Sequence, residues 1–343
     1  MDFAASCVVI AVGLFAGALL GRILIPYFRK LKTGKFEPVI GDRSKQDGSE
    51  PKLGGAVIFA SFILAITAAT AFFTARNDIG ADLRLIFTSA ASAGIMCALG
   101  AYEDILSDRG ANVGMKPAYK IACRFVVIIA VLAVLRLFGR TRTGWLLPFH
   151  LGYLELGYLY YPLTALLGTL FISAVCVCDC PGGRTKLGID GLCPAVMMLF
   201  FMGITTGLTS TGLHPEAQVL AAASMSAAGG FLFWGLCPSK LYLGESGALT
   251  LGTLAVMCAV CADAELILLI GGGVVLIDGI SALLQFIVFK TTKNLLMKGY
   301  TLHEHLKIKG LGAYTIIGLF SAVSVLFSAL LIWYLIYTAK FLP

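Results

Sequence analysis

Ten runs of about twenty apolar residues restrict the fold of this chain more than any other feature of its sequence. They lie near residues 3–27, 53–75, 84–102, 117–138, 160–178, 191–209, 215–236, 247–262, 264–290 and 315–338. A helix needs about 20 residues to cross the hydrocarbon core of a bilayer. Only 13% of the residues are charged, against roughly 25% in soluble domains. The runs therefore predict an all-α polytopic membrane protein with about ten transmembrane helices.

The basic residues predict the direction in which these helices cross the membrane. The net charge is +7, but the lysines and arginines lie in the short connections between the runs, which argues against nucleic-acid binding. The connections 28–52 and 290–309 are rich in basic residues, and basic connections stay in the cytoplasm. The odd-numbered connections are therefore predicted to be cytoplasmic, with both termini outside. Residues 1–25 lack the basic start and the cleavage site of a signal peptide, so we expect the first run to be retained.

Three further features complete the predicted architecture. Residues 146–162 alternate apolar and polar side chains around two glycines, which predicts a short outer β-hairpin, with an irregular loop as the alternative. Gly13, Gly17 and Gly21 form a ridge of small residues that suits either a homodimer or packing within the chain. No connection is long enough for an added soluble domain, so residues 1–343 are expected to form a single integral membrane domain.

Acidic residues are scarce, and they collect at a few places on the predicted cytoplasmic side. The candidates are Glu103, Asp104, Asp190, Glu245 and the run His303-Glu304-His305. Each has an ordinary alternative, such as a helix cap or a solvated charge. An ionisable group near bilayer depth usually has a partner, and for Glu245 this could be a divalent metal, a substrate or a basic side chain. Their coincidence on one face predicts a single site, suited to Mg²⁺ and a polyphosphate because Mg²⁺ binds through carboxylates and substrate phosphates.

The motifs around these residues resemble those of the phospho-N-acetylmuramoyl-pentapeptide transferases, within the wider family of polyprenyl-phosphate N-acetylhexosamine-1-phosphate transferases. The similarity extends over nearly the whole chain. The matching segments are Glu50–Gly55, Tyr102–Asp104, Gly188–Leu192, Tyr242–Gly247 and Ile277–Gly310. The last of these is the most specific, because His303–Gly310 is similar to a histidine-rich motif of the pentapeptide branch.

The resemblance implies a chain of about ten helices in the bacterial inner membrane, with its active site facing the cytoplasm. It also implies an Mg²⁺-dependent reaction of peptidoglycan synthesis, in which a phospho-sugar is transferred from a UDP-sugar to undecaprenyl phosphate and UMP is released. The UDP-sugar that the resemblance implies is UDP-N-acetylmuramoyl-pentapeptide. Glu103, Asp104 and Glu245 are then expected to be catalytic, with Mg²⁺ on Asp104 and Glu245. The expected substrate-binding residues are Lys52, Arg184, Lys186, Asp190, His303 and His305.

The chain departs from the family pattern at several chemically important positions. Glutamate replaces aspartate at positions 103 and 245, and Glu304 replaces the middle histidine of three. The run Cys178–Leu187 replaces an Asn-x-x-Asn-Leu-Thr-Asp motif, with Leu187 where a carboxylate is expected and Arg184 where an amide is expected. The chain is thus either an active transferase, with its site adjusted to its own nucleotide sugar, or a catalytically silent paralogue that binds lipid phosphate as a scaffold or regulator. An unrelated transporter or channel is a third interpretation, which would require charges nearer mid-membrane.

Overall fold

The computed structural model of the chain describes residues 3–31, 51–75, 82–109, 115–139, 142–148, 152–179 and 188–339. Its helices are α1 (Phe3–Leu31), α2 (Gly54–Ala75), α3 (Leu83–Arg109), α4 (Pro117–Leu137), α5 (Tyr160–Asp179), α6 (Leu192–Thr211), α7 (Pro215–Gly235), α8 (Gly244–Cys261), α9 (Ile267–Ile270), α10 (Gly273–Thr292), α11 (Leu302–Ile308) and α12 (Ala313–Thr338). Two strands, β1 (Gly144–Leu146) and β2 (Tyr153–Glu155), form the only sheet among the described residues.

Ten of the described helices, all except the short α9 and α11, are long and apolar enough to cross a membrane. The predicted all-α polytopic class is therefore confirmed. The predicted ninth run, 264–290, is divided into a turn, α9 and α10. Three consecutive glycines, 271–273, lie at this break against the side chains of Leu331, Phe171 and Phe327. Glycine is a weak helix former and has no side chain, so the helix is interrupted where the backbone passes close to α5 and α12.

Helices α7 and α8 form the buried centre of the bundle, and α1 packs on α7 through its glycines. A Cβ atom at Gly17 would lie 2.8 Å from the Cα of Gly230, while Gly13 faces Ser226 and Gly21 faces Trp234. Such close approach is what a ridge of small residues permits. Of the two predicted uses of the ridge, packing within the chain is the one that the structure contains.

The two strands of the predicted outer hairpin are present, at Gly144–Leu146 and Tyr153–Glu155, whereas the prediction extended over 146–162. Its strands are antiparallel, with Trp145 opposite Leu154. The indole N–H of Trp145 donates to the Thr164 hydroxyl at 3.1 Å, and the Tyr334 hydroxyl donates to the carbonyl of Leu146 at 2.7 Å. These bonds attach the hairpin to the first turns of α5 and the last turns of α12. The predicted acidic residues lie at the opposite end of α5.

Candidate active site

Helix α8 begins where two of the predicted motifs meet. The N–H of Tyr242 donates to the carbonyl of Pro51 at 3.0 Å, and the N–H of Gly54 donates to the carbonyl of Tyr242 at 3.0 Å. Gly244 has a φ of +71°, and a Cβ atom there would collide with the carbonyl oxygen of Lys52. Only glycine combines this backbone conformation with so close an approach. The segments before α2 and α8 therefore form one structural unit.

Asp104, near the end of α3, caps the N-terminus of α8. Its Oδ1 accepts the N–H of Glu245 at 2.8 Å, and its Oδ2 accepts the N–H of Ser246 at 3.0 Å. The residue is only 4% exposed. The first N–H groups of a helix have no partners within that helix, and its N-terminus favours negative charge. Asp104 thus fixes α8 against α3, and both of its carboxylate oxygens are used in doing so.

Two acids and two bases lie together beside this helix start, and we call Glu103, Lys120, Arg124 and Glu245 the acid–base cluster. The Lys120 ammonium is 2.9 Å from Oε1 of Glu103 and 3.9 Å from Oε1 of Glu245. Nη2 of Arg124 is 2.5 Å from the same Glu245 oxygen. Lys120 and Arg124 are four residues apart, so they share one face of α4. The formal charges of the four side chains cancel.

The side chain that pairs with Glu245 is the buried guanidinium of Arg124. Arg124 is 6% exposed, and its Nη1 donates to the Ser173 hydroxyl on α5 at 2.9 Å. Its Nε is buried with no hydrogen-bond partner among the described residues. A buried charge is stable only when it is paired, so Arg124 and Glu245 depend on each other. Of the three partners that the sequence left open for Glu245, the structure contains the basic side chain.

The acid–base cluster does not fit a divalent metal. Among the residues that the structure describes, no three His, Cys, Asp or Glu side chains are arranged to hold an ion. The two predicted ligands, Asp104 and Glu245, direct oxygens at backbone N–H groups and at Arg124. A divalent ion on Glu245 about 4 Å from the guanidinium would be repelled by about 8 kcal/mol at an effective dielectric constant of about 20. Magnesium on these two residues stays a prediction for which the described contacts provide no prepared site.

A small cavity opens onto the acid–base cluster. Its walls are Met96, Leu99, Met115, Cys123 and Leu249, together with the four charged side chains. Charges beside apolar walls interact more strongly than they do in water. Lys120 has the most exposed side chain of the four, at 27%, against 8% for Arg124. An entering anion would therefore meet Lys120 first.

His303 belongs to a second group, the histidine cluster, formed by Asp278, Thr301 and His303. Nδ1 of His303 is 2.8 Å from Oδ2 of Asp278, and the backbone N–H of His303 donates to Oδ1 at 3.2 Å. The Thr301 hydroxyl lies 3.0 Å from the same ring nitrogen. Asp278 and His303 are both fully buried. The carboxylate orients the imidazole as in proton-transferring sites, although here the ring is closed to solvent.

Glu304 and His305 serve the local structure of α11. The Thr301 hydroxyl accepts the N–H of Glu304 at 3.3 Å, and Oε2 of Glu304 accepts the N–H of Tyr300 at 2.6 Å. This arrangement resembles a capping box, so the glutamate that departs from the family pattern closes the start of a helix. Nδ1 of His305 accepts the N–H of Lys298 at 3.3 Å.

Asp190, just before α6, forms a third polar contact at the same end of the bundle. Its Oδ2 accepts the Ser239 hydroxyl at 2.8 Å. Lys307 donates to the carbonyl of Gly188 at 2.9 Å, and its charge acts on Asp190. Burial raises the pKa of the Asp190 carboxyl, while the Ser239 hydrogen bond and the Lys307 charge oppose that rise. Lys307 was not among the predicted site residues.

Asp179, the last residue of α5, links these groups, and the sequence reasoning missed it. The charges of Asp104, Asp190 and Glu245 all act on its carboxylate, and the charge of Asp278 acts on the neighbouring Cys178. Three of the predicted acidic residues, Asp104, Asp190 and Glu245, are therefore close enough to the end of α5 for their charges to act on Asp179. An acid at the inner end of an apolar run, the signal that identified Glu103, also fits Asp179.

Lys120 and Arg124 were also missed, although two basic residues four apart within an apolar run are themselves a signal. Lys52 contributes its backbone carbonyl beside Gly244. The predicted substrate-binding residues Arg184 and Lys186 lie outside the described residues.

Comparison with known proteins adds a family to this geometry. The sequence profile of glycosyl transferase family 4 matches residues 85–263, which contain the whole acid–base cluster. The phospho-N-acetylmuramoyl-pentapeptide-transferase of Bacillus subtilis (strain 168) is 27% identical over 322 residues, covering 94% of this chain and 95% of the relative. The protein of the same name from Carboxydothermus hydrogenoformans is 28% identical over 319 residues, covering 89% and 91%. That of Desulfitobacterium hafniense is 26% identical over 332 residues, covering 92% and 93%.

Proposed function

Because the chain belongs to glycosyl transferase family 4, we propose that it transfers a phospho-sugar from a UDP-sugar to undecaprenyl phosphate and releases UMP. The chain is a transferase of peptidoglycan synthesis and a multi-pass protein of the bacterial cell membrane. The proposed donor is UDP-N-acetylmuramoyl-pentapeptide, since the relatives are named for transfer of phospho-N-acetylmuramoyl-pentapeptide.

The observation that carries this proposal is the meeting of Glu103, Asp104, Lys120 and Glu245 at the start of α8, beside a cavity. In the proposed reaction, an oxygen of the lipid phosphate attacks the phosphorus that bears the sugar. The bond between that phosphorus and the bridging oxygen breaks, and the electron pair leaves with UMP. Such transfers depend mainly on positioning and on neutralisation of phosphate charge. Of the two bases in the acid–base cluster, Lys120 is the more accessible for that task.

We propose Glu103, Asp104 and Glu245 as the catalytic carboxylates. Glu103 is held by the ammonium of Lys120 and by the N–H of Met115, at 3.1 Å to its Oε2, so its carboxylate has a fixed position beside the cavity. In the proposal it assists the attack by accepting a proton from the lipid phosphate. Asp104 holds the start of α8 in place, and Glu245 holds the side chains of Lys120 and Arg124 on α4.

The remaining predicted contacts stay part of the proposal. Lys52, Asp190, His303 and His305 are the proposed substrate-binding residues, with Arg184 and Lys186 beyond the described segments. The lipid bilayer and undecaprenyl phosphate are proposed partners, and a homodimer stays a prediction. The resemblance adds Mg²⁺ on Asp104 and Glu245, but both oxygens of Asp104 and Oε1 of Glu245 are already engaged, so no step of the proposed transfer is routed through a metal.

Exchange of labelled UMP into the UDP-sugar tests the proposal on purified protein in micelles that contain undecaprenyl phosphate. We expect exchange by the wild-type protein, and a loss of about 10²-fold or more in Glu103→Gln, because a misplaced catalytic group costs about that much. The surface variant Asp82→Asn, at the exposed start of α3, serves as the matched control.

Absence of exchange with every UDP-sugar tried, with and without divalent ions, would refute transfer. It would favour the silent paralogue that binds lipid phosphate as a scaffold or regulator. The burial of His303 and the capping role of Asp104 are the observations that support the silent paralogue.

A further inference from the structure

We propose that the guanidinium of Arg124 takes the place of a divalent cation at Glu245, so that phosphate-bearing ligands bind this site without a metal. The inference rests on the proposed function, because it states how the same site neutralises phosphate charge. It concerns the part of the site in which the structure and the magnesium expectation disagree.

The guanidinium is fixed from two sides. Its Nη2 contacts Oε1 of Glu245 at 2.5 Å, and its Nη1 donates to the Ser173 hydroxyl at 2.9 Å. That hydroxyl in turn donates to the carbonyl of Thr169 at 2.7 Å within α5. Arg124 thus connects α4, α5 and α8 at a buried point. A side chain held in this way is part of the site's framework, unlike a mobile surface arginine.

The cationic charge at the cluster equals that of a divalent ion. Lys120 and Arg124 together carry two positive charges, and both contact the same oxygen of Glu245. Arginine is weakly hydrated and stays charged at every accessible pH, which suits it to a permanent buried position. A metal ion would have to displace this guanidinium to bind Oε1 of Glu245.

Lys120 and Arg124 have different roles in binding. Lys120 lies at the cavity and is the more exposed, so it is the group that contacts a phosphate oxygen. Arg124 stays on Glu245 and acts through it as a positioning residue. Nitrogen donors of a lysine or an arginine bind phosphate oxygens through charge-assisted hydrogen bonds. The ligand class is a phosphate monoester or a nucleoside diphosphate.

Binding of Mn²⁺, followed by the electron paramagnetic resonance signal of the free ion, tests the proposal directly. Each protein is compared with the same protein carrying the additional substitution Glu245→Gln. The difference between the two gives the number of Mn²⁺ ions whose binding depends on Glu245. We expect no difference for the wild-type chain and about one ion per chain for Arg124→Gln, whose carboxylate is open. Arg124→Lys keeps the charge and should behave as wild type.

Arg136→Gln is the matched control, because Arg136 lies on the same helix and bonds to the Tyr161 hydroxyl far from the cluster. It should bind no Glu245-dependent Mn²⁺. One Glu245-dependent ion in the wild-type chain would overturn the proposal, and so would no such ion in a folded Arg124→Gln. If Arg124→Gln does not fold, the wild-type comparison with Glu245→Gln decides alone.

Binding of labelled UMP separates this inference from the proposed function. With a chelator present, we expect the wild-type chain to bind UMP within about twofold of its affinity in Mg²⁺. Binding that appears only with Mg²⁺ would overturn the inference while leaving the transferase intact. Failure to bind UMP under both conditions would count against the proposed function, and the Mn²⁺ measurement would still decide the role of Arg124.

Discussion

At the scale of single residues, Asp104 is the side chain on which the start of α8 depends most. Asparagine there would keep one acceptor oxygen and turn an NH₂ group toward a backbone N–H. Leaving a buried donor unpaired costs about 1–3 kcal/mol. We therefore expect Asp104→Asn to lower the thermal midpoint of unfolding in detergent. Asp82→Asn is the control, since Asp82 accepts the N–H of Arg84 at 2.9 Å at an exposed helix start. Equal losses in both variants would contradict the capping role.

The raised pKa of Asp190 predicts a pH-dependent stability. A carboxyl whose pKa in the folded state lies above its ordinary 3.8 favours folding while protonated, and that contribution is lost as the pH rises through the folded pKa. Asp190→Asn should therefore raise the unfolding midpoint at pH 7, with a difference that shrinks toward pH 4. Ser239→Ala removes a bond that lowers the pKa, so it should lower the midpoint at pH 7 and have little effect at pH 4. If Asp190→Asn were less stable than the wild-type protein at pH 7, the ionised carboxylate would gain more from Ser239 and Lys307 than it loses by burial, which would contradict the prediction.

The sequence predicted the site's acids better than its bases. Glu103, Asp104 and Glu245 could be found because an acid at the inner end of an apolar run is costly and therefore informative. Lys120 and Arg124 stand within an apolar run, and hydropathy gives the depth of a residue but not the neighbour that its helix face meets. The pairing of Arg124 with Glu245, over 121 residues of sequence, follows only from how α4 packs near α8.

At the scale of elements, α10 organises the segment that follows it. Asp278, Ser281 and Gln285 share one face of α10, and they bond to His303, Leu302 and Met297, respectively. The chain after α10 thus returns along the helix that it has just left. Helical spacing in the sequence could predict the polar face, but not the segment that covers it.

Gln285 makes two bonds to this returning segment, one from its Nε2 to the Met297 carbonyl and one from the Met297 N–H to its Oε1, each at 3.0 Å. Gln285→Leu removes both, at about 1–2 kcal/mol in total, which corresponds to a factor of about 5–30 in a local opening equilibrium. We expect amide hydrogen exchange in residues 295–302 to accelerate by about that factor. Leu284→Ala, on the exposed face of α10, should leave the exchange unchanged. Equal acceleration in both variants would show that the bonds do not hold the segment.

The packing of α1 on α7 gives a second prediction for an element. Gly17→Ala would place a Cβ atom 2.8 Å from the Cα of Gly230, and such overpacking costs about 1–3 kcal/mol. The unfolding midpoint should fall. Gly318→Ala, in α12, meets nothing within 4 Å and should be neutral or stabilising, since alanine is the better helix former. A tolerated Gly17→Ala would mean that α1 can shift away from α7 at little cost.

At the scale of the whole molecule, the described helix ends that flank the odd-numbered connections lie at the end of the bundle that holds the acid–base and histidine clusters. Hydropathy was enough to predict this arrangement, because each run is both long and apolar. It could not predict the break between α9 and α10, where packing against α5 and α12 decides. That residues 1–343 form one domain stays a prediction.

The direction of insertion follows from charge, and it decides whether the site can meet a cytoplasmic nucleotide sugar. The described helix ends that flank the basic stretches 28–52 and 290–309 lie at the site's end of the bundle, so the positive-inside rule places that end in the cytoplasm. Alkaline phosphatase, which is active only outside the cytoplasm, should therefore be active when fused after residue 339 and inactive when fused after Lys309. Green fluorescent protein at the same two points should give the opposite pattern and serves as the control. The reverse result would put the acid–base cluster outside the cell, away from every UDP-sugar, and the proposed transfer could not take place there.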